Sequence, residues 1–332
     1  MSGCCGSDQN VIRNAGTELN FSDRLGAFGV RLGIGRDNYK VDPGLYAIGS
    51  PTETSPVFVS ANYKLTFDSL RKELSGMDCY ILILDTKGIN VWCAAGKGTF
   101  GTDELVDRIK KTGLADVVSH RNLILPQLGA PGICAHAVKM RSGFEVIYGP
   151  VRAADIKAFM SAGKEATEEM RTVKFTLYDR LILTPMEFIP AMKISMMIFG
   201  AMFLFNFVMN EAFQIGDAAA YMCAVAAGTI LTPVLLPYIP VKAFSLKGWL
   251  LGLLSALLAV WAFGWLHNDL MVASGYLLML PSVSAFFAMN FTGSSTFTSF
   301  SGVIKEMKVA VPFIIITITV GAALLLIGKA TA

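Results

Sequence analysis

The residues best suited to chemistry lie at 90–100. There Asn90-Val91-Trp92-Cys93-Ala94-Ala95-Gly96-Lys97-Gly98-Thr99-Phe100 follows an apolar run, Tyr80-Ile81-Leu82-Ile83-Leu84, and a turn, Asp85-Thr86-Lys87-Gly88. The run reads as a buried strand and the motif as a small-residue helix capped by Asn90. Cys93 then stands at a helix start, where unpaired backbone N–H groups favour a thiolate. A thiolate there can ligate a soft metal or attack an electrophile. Ala94, Ala95 and Gly96 leave the helix backbone open to a flat ligand. Trp92 reads as a packing anchor rather than a stacking surface, and Lys97 either binds a ligand carbonyl or stays in solvent. A second small-residue segment, Gly129-Ala130-Pro131-Gly132, permits close approach of another body.

Three other readings of the motif compete. A phosphate loop, G-x-x-x-x-G-K-[ST], needs glycine at position 91 and Ser or Thr at 98; Val91 and Gly98 fail both. Acyl transfer from Cys93 needs a base, for which His120 and His136 are the candidates, but no cysteine-protease signature surrounds Cys93. A plain buried cysteine is the third reading, since free cysteine is commonly buried. Cys4, Cys5, Cys79, Cys93, Cys134 and Cys223 form no C-x-x-C and no zinc spacing with His120, His136 or His267. No intrinsic iron–sulfur cluster is expected. The pair Cys4-Cys5 reads either as incidental to a terminal tail or as a soft-metal site.

The string from Asn90 to Lys97 resembles the cap-helix motif of the corrinoid proteins of microbial mercury methylation, the HgcA family. Over roughly 58–160 the chain is also similar to the corrinoid-binding domain of the corrinoid iron–sulfur protein of acetyl-CoA synthesis, through 90–100 and 125–132. It departs from that relative by its cysteine at 93, by lacking a cluster's cysteines and by adding membrane spans. The cysteine at 93 and the missing cluster cysteines are both features of the mercury-methylating family. The resemblance implies a cobalamin with Cys93 beneath the cobalt as lower axial ligand. Asn90, Val91, Trp92, Ala94, Ala95, Gly96, Lys97, Gly98 and Thr99 would surround it. Gly129, Ala130, Pro131 and Gly132 would make room for the nucleotide tail or corrin edge, with His120 as an outer contact.

The activity implied is a corrinoid-dependent methyl transfer to Hg(II), forming methylmercury. Hg(II) is an electrophile, so the methyl group must carry electron density, which a thiolate on the far side of cobalt donates. Recharging by a donor such as methyl-tetrahydrofolate requires Co(I), and hence an outside reductant. The resemblance implies a ferredoxin-like protein with two [4Fe–4S] clusters, which could also deliver Hg(II). The rival class is a non-catalytic membrane cobalamin carrier or transporter subunit.

The elements that must position Cys93 read as an α/β domain. Residues 1–55 show no periodicity and are expected to be an irregular lead-in. Over 56–165 strands are expected at 57–60, 79–84, 117–118, 122–125 and 144–149. Helices are expected at 68–74, from Cys93, at 103–111 (Thr102 as N-cap), at 135–141 and at 153–162. Such alternation argues for a mainly parallel sheet flanked by helices, with ligands beyond the strands' carboxyl ends. A connector, 166–187, leads to an all-α transmembrane domain of five helices, 188–332.

That division rests on charge. Of 332 residues 53% are hydrophobic and 16% charged, with a mean hydropathy of +0.53. Residues 1–187 hold 22 Lys+Arg and 21 Asp+Glu; 188–332 hold only 6 and 4. The near-neutral first part gives no reason to bind nucleic acid. The start, Met1-Ser2-Gly3-Cys4-Cys5-Gly6, lacks a basic n-region and an apolar core, so no signal peptide is expected. Spans of about 20 apolar residues are expected at 189–209, 218–236, 247–266, 270–291 and 309–328, with Pro190 in the first turn of the first. Pro233 and Pro281 are expected to kink or bound theirs. Lys242, Lys247, Lys305 and Lys308 occupy alternate loops, which predicts a cytoplasmic N-terminal domain and an outside C-terminus in the cytoplasmic membrane. Glu211, Asp217, His267 and Asp269 are assigned to short loops, so the spans read as an anchor rather than a transport path. Met192, Met196, Met197, Met202 and Met209 read as helix-surface filler rather than a metal ladder.

Overall fold

The structure is a computed structural model that describes residues 11–209, 213–294 and 300–331. Cys4, Cys5 and Glu211 lie outside the described residues. Two compact units divide at Val173 and Lys174.

The first unit runs β1 (Arg13–Asn14), α1 (Phe21–Arg31), β2 (Gly44–Ile48), β3 (Val57–Ala61), α2 (Lys64–Glu73), β4 (Cys79–Leu84), α3 (Val91–Lys97) and α4 (Thr102–Lys111). It continues with α5 (Leu114–Val117), β5 (Asn122–Leu125), α6 (Ala135–Ser142), β6 (Glu145–Tyr148), α7 (Ile156–Ser161) and α8 (Glu168–Arg171). Its sheet has the order β1-β2-β4-β3-β5-β6, parallel except between β2 and β4. β3 and β4 are buried along their whole length, which is why both read as unbroken apolar runs. Alternate residues feed two cores. Val57, Val59, Leu82 and Leu84 meet Ala94, Leu105 and Val138 of α3, α4 and α6. Phe58, Ile81 and Ile83 meet Phe67 and Leu70 of α2 and Phe159 of α7. The α/β fold class with helices about a mostly parallel sheet is therefore what the chain adopts.

Three expectations fail here. The stretch 11–55 is not irregular: β2 pairs residue for residue with β4, Gly44 opposite Ile83 and Ile48 opposite Cys79. Five buried residues between Pro43 and Gly49 are too few to show a period. Residues 117–118 are not a strand. Gly113, at φ 57°, starts the helical turn α5, whose spacing puts both Leu114 and Val118 into the core. Thr102 is not the N-cap of α4; Gly101 is, and the Thr102 hydroxyl instead accepts the Cys134 N–H at 2.8 Å.

The second unit contains α9 (Leu177–Leu181), α10 (Thr184–Met209), α11 (Ile215–Ala226), α12 (Thr232–Leu235), α13 (Phe244–Ala262), α14 (Trp265–Asn268), α15 (Leu270–Asn290) and α16 (Phe300–Thr331). Five segments are long and apolar enough to cross a membrane: 177–208, 215–235, 244–262, 270–290 and 301–330. Because α10 begins at Thr184, Pro190 lies inside it rather than in its first turn. Before Pro233 the chain loosens into a π-helical turn, Ala227–Leu231, and the Thr232 hydroxyl donates to the Ala227 carbonyl at 2.8 Å. Close approach of α13 to α15 depends on Gly248 and Gly252: a Cβ on them would lie 2.3 Å from Ala288 Cβ and 2.5 Å from Ser284 Cβ. This is the small-residue packing of membrane helices. Asp217 is not in a loop. It lies in α11, 1% exposed, and accepts from Tyr276 Oη of α15 at 2.7 Å and from Lys329 Nζ of α16 at 3.0 Å.

Candidate functional site

α3 starts at the carboxyl end of β4, and a side chain from the neighbouring strand sets its launch. Asn62 follows β3 directly and is 2% exposed. Its Oδ1 accepts the N–H of Thr86 at 3.1 Å and of Gly88 at 2.9 Å, and its Nδ2 donates to Asp85 Oδ1 at 3.3 Å. The Thr86 hydroxyl closes the loop on Ile89 O at 2.6 Å, and the Asp85 N–H is held by Glu104 Oε1 at 2.8 Å. Burial pushes the Asp85 carboxyl up, but Lys87 and its N–H outweigh this and hold it below its ordinary value.

Asn90 caps the helix as expected, its Oδ1 accepting the Cys93 N–H at 2.9 Å. The amide of Cys93 is thus satisfied by the cap. Val91, Ala94 and Ala95 face the core, while Trp92, Cys93, Gly96 and Lys97 lie on the outer side, Cys93 half-buried. A Cβ added at Gly96 would meet nothing within 4 Å, so the face carrying Cys93 is low and open. Gly98, at φ 80°, ends the helix. Cys79 is the contrasting thiol: it is fully buried, and burial pushes its pKa up to about 12.

Beside α3 lies a cavity of about 380 Å³ at the carboxyl ends of β3, β5 and β6. Asn90, Val91 and Trp92 form one wall, Leu125, Pro126 and Leu128 another, and Ser60, Tyr63 and Thr66 a third. Trp92, 38% exposed, belongs to this wall. Residues 127–132 form a 3₁₀ segment packed on α3. Its glycines allow that packing: a Cβ at Gly129 would lie 2.5 Å from Phe100 Cε1, and one at Gly132 would lie 2.1 Å from Phe100 O. Ala130 and Pro131 complete the segment. Two buried side-chain oxygens without a hydrogen-bond partner among the described residues flank this region, Thr99 Oγ1 and Gln127 Oε1.

His120 is not part of the site. It precedes β5 at the opposite end of the sheet, with Nε2 2.8 Å from Ser55 O and Nδ1 accepting the Asn122 N–H at 3.2 Å. Both ring nitrogens are spent on backbone. His136 lies exposed on α6. Among the described residues no group of three His, Cys, Asp or Glu could hold a metal; the accessible thiols of this unit are Cys93, half-buried on α3, and Cys134, exposed at the start of α6. Asn62 and Glu104 are the positioning residues that motif reading missed; the polar Asn62 closing an otherwise apolar strand was their visible signal.

The carboxyl edge of the sheet, where ligands of open α/β folds bind, thus carries the half-buried Cys93 thiol and an apolar cavity, with Cys134 exposed at the start of α6. Residues 35–160 match the family described as the CO dehydrogenase/acetyl-CoA synthase delta subunit. The acetyl-CoA decarbonylase/synthase complex subunit gamma of Methanopyrus kandleri is 32% identical over 127 residues, 38% of this chain and 27% of that protein. That of Methanocaldococcus jannaschii is 41% identical over 92 residues, 27% and 19% of the two chains. The corrinoid/iron–sulfur protein large subunit of Moorella thermoacetica is 34% identical over 125 residues, 37% and 28%. The chain thus spans about a fifth to a quarter of the length of these curated relatives, and the family match ends before the second unit.

Proposed function

We propose that this chain is a membrane-anchored corrinoid methyltransferase that uses Cys93 as the lower ligand of the cobalt and passes a methyl group to Hg(II). The observation that carries the reading is the half-exposed Cys93 on the open face of α3, inside a domain related to a corrinoid/iron–sulfur protein. The residues present fit a cobalamin. Cys93 supplies a soft donor, Gly96 leaves the helix low enough for a flat ring, and the adjoining cavity suits the nucleotide tail that a protein thiolate would displace from the metal. That assignment moves the tail from the Gly129–Gly132 segment to the cavity walled by Asn90 and Trp92. Thr99 Oγ1 and Gln127 Oε1 would suit the ring's amide groups, and Lys97, exposed on α3, would be available to its amide carbonyls. A bound cobalamin supplies the methyl group and the capacity to release it with electron density. The chain's own part is to hold the thiol fixed through the Asn62 loop and the Asn90 cap.

Hg(II) is the substrate of this reading. Methyl-tetrahydrofolate-linked recharging and a ferredoxin-like partner with two [4Fe–4S] clusters complete it, because the described residues hold no cluster-binding set. The test is methylmercury formation from Hg(II) by the full chain loaded with methylcobalamin, or with cobalamin plus methyl-tetrahydrofolate and a low-potential reductant, in wild type, Cys93→Ala and Cys93→His. Loss of a mere supporting residue around a metal costs about 10–100-fold, so Cys93→Ala is expected to cost at least about 100-fold. Its content of bound cobalamin should persist while the thiolate-ligated absorption is lost. Cys93→His should retain cobalamin and work poorly. Near-normal turnover in Cys93→Ala would falsify the ligand role. Cobalamin binding without mercury methylation by wild type would favour the carrier reading.

A further inference from the structure

Helix α1 is inside out. Its inward face is polar: Asp23, 8% exposed, pairs with Lys64 at 2.6 Å and with Arg71 at 2.7 Å. Asp68 pairs with the same two cations at 2.7 Å each. Gly26 lets Tyr39 lie against the helix, where a Cβ would stand 2.6 Å from the Tyr39 oxygen. The large apolar residues point the other way. Phe21 is 79% exposed, Leu25 57% and Phe28 60%, at the i, i+4, i+7 spacing of one helical stripe. The helix closes with Gly33 at φ 81° and the Ile34 N–H on Gly29 O at 2.9 Å, a Schellman end. That bond fixes Ile34, 68% exposed, at the end of the stripe.

A charged inner face and an apolar outer face invert the pattern of a helix on a soluble domain. The helix precedes the family-matched stretch, which begins at 35. Exposed Arg24 and half-buried Arg31 accompany the stripe. The first candidate span begins at Leu177, a few residues after this unit ends at Val173.

We propose that α1 lies in the interface of the bilayer, with Phe21, Leu25, Phe28 and Ile34 among the acyl chains and Arg24 and Arg31 on anionic headgroups. An apolar stripe with basic neighbours is the build of an interfacial helix, and the short tether keeps the bilayer within reach. The inference rests on the spans being in a membrane and not on the cofactor. The experiment places Phe28→Trp in the full chain, reconstituted in nanodiscs of phosphatidylcholine with phosphatidylglycerol. The added emission is read by difference from the unsubstituted chain. It is expected to shift to the blue and to be quenched by lipids brominated near the headgroup. Adding Arg24→Glu and Arg31→Glu, or omitting phosphatidylglycerol, should remove most of that quenching. Emission typical of water in the anionic nanodiscs overturns the proposal. So does a blue shift that appears only with an added soluble protein and without lipid quenching, since a protein would then cover the stripe.

Discussion

At the scale of single residues, the reactive thiol depends on a side chain that does not touch it. Asn62 holds the loop 85–89 from the end of β3, so losing it removes the acceptor of the half-buried Gly88 N–H and an acceptor of the buried Thr86 hydroxyl and leaves the Thr86 N–H only the Leu84 carbonyl at 3.1 Å. Asn62→Ala is expected to cost about 1–3 kcal/mol of stability in the first unit, read by denaturant unfolding. It should also broaden the thiolate-ligated absorption of the holoprotein while Cys93 remains present. An unchanged spectrum and unchanged stability would remove Asn62 from the positioning role. Cys93 and its cap were legible in the sequence because cap, thiol and small residues are contiguous. Asn62 was not, because its partners lie more than twenty residues away and meet it only through parallel pairing of β3 with β4. His120 failed for the converse reason: the residue type suggested chemistry, but its register at the start of β5 puts it at the wrong end of the sheet.

At the scale of elements, charge fastens α1 and shape fastens the membrane helices. Burial pushes the Asp23 carboxyl up, but Lys64, the Asn20 N–H and Arg71 together bring it below its ordinary value. Burial lowers Lys64, but Asp23 and Asp68 more than reverse that. A depressed carboxylate stabilises above its unfolded pKa and loses that contribution as pH falls through the folded one; a raised lysine stabilises below its unfolded pKa and loses its contribution as pH rises through the folded one. Attachment of α1 is therefore expected to hold from about pH 4 to about pH 10 and to weaken below and above. Hydrogen exchange of 21–31 rising ahead of the strands on acidification is the measurement; simultaneous loss of both would contradict it. In the membrane unit, Lys329→Ala strands Asp217 beneath Tyr276, and removing one partner of a buried pair costs about 3–5 kcal/mol. Asp217→Asn/Lys329→Met should recover much of that in thermal unfolding in detergent, and no recovery would mean the pair is not coupled. The five spans were legible from apolar length alone. The Asp217–Lys329 pair was not, since the two are 112 residues apart in sequence and each sits at a helix end that composition assigns to a loop or tail.

At the scale of the whole molecule, composition located the change from soluble to apolar chain but not the joint itself. Arg180, 3% exposed, donates to Val234 O at 2.8 Å, and Phe175 and Leu183 pack on Leu236, Phe244 and Phe291. The connector expected at 166–187 is thus divided between the units, and the break falls between Val173 and Lys174. A chain ending at Val173 is expected to bind cobalamin with the same affinity and thiolate-ligated spectrum as the full chain, measured by equilibrium titration. Folded protein without binding would place part of the cofactor site in the membrane unit. The residues between Val173 and Leu177, fully extended, reach only about 10–14 Å. With the spans in a bilayer, the domain bearing Cys93 moves with the lipid around it, so its number in a cell is bounded by membrane area and not by volume. A carrier arriving from solution searches a surface for it, whereas one that also adheres to lipid meets it by lateral diffusion in two dimensions.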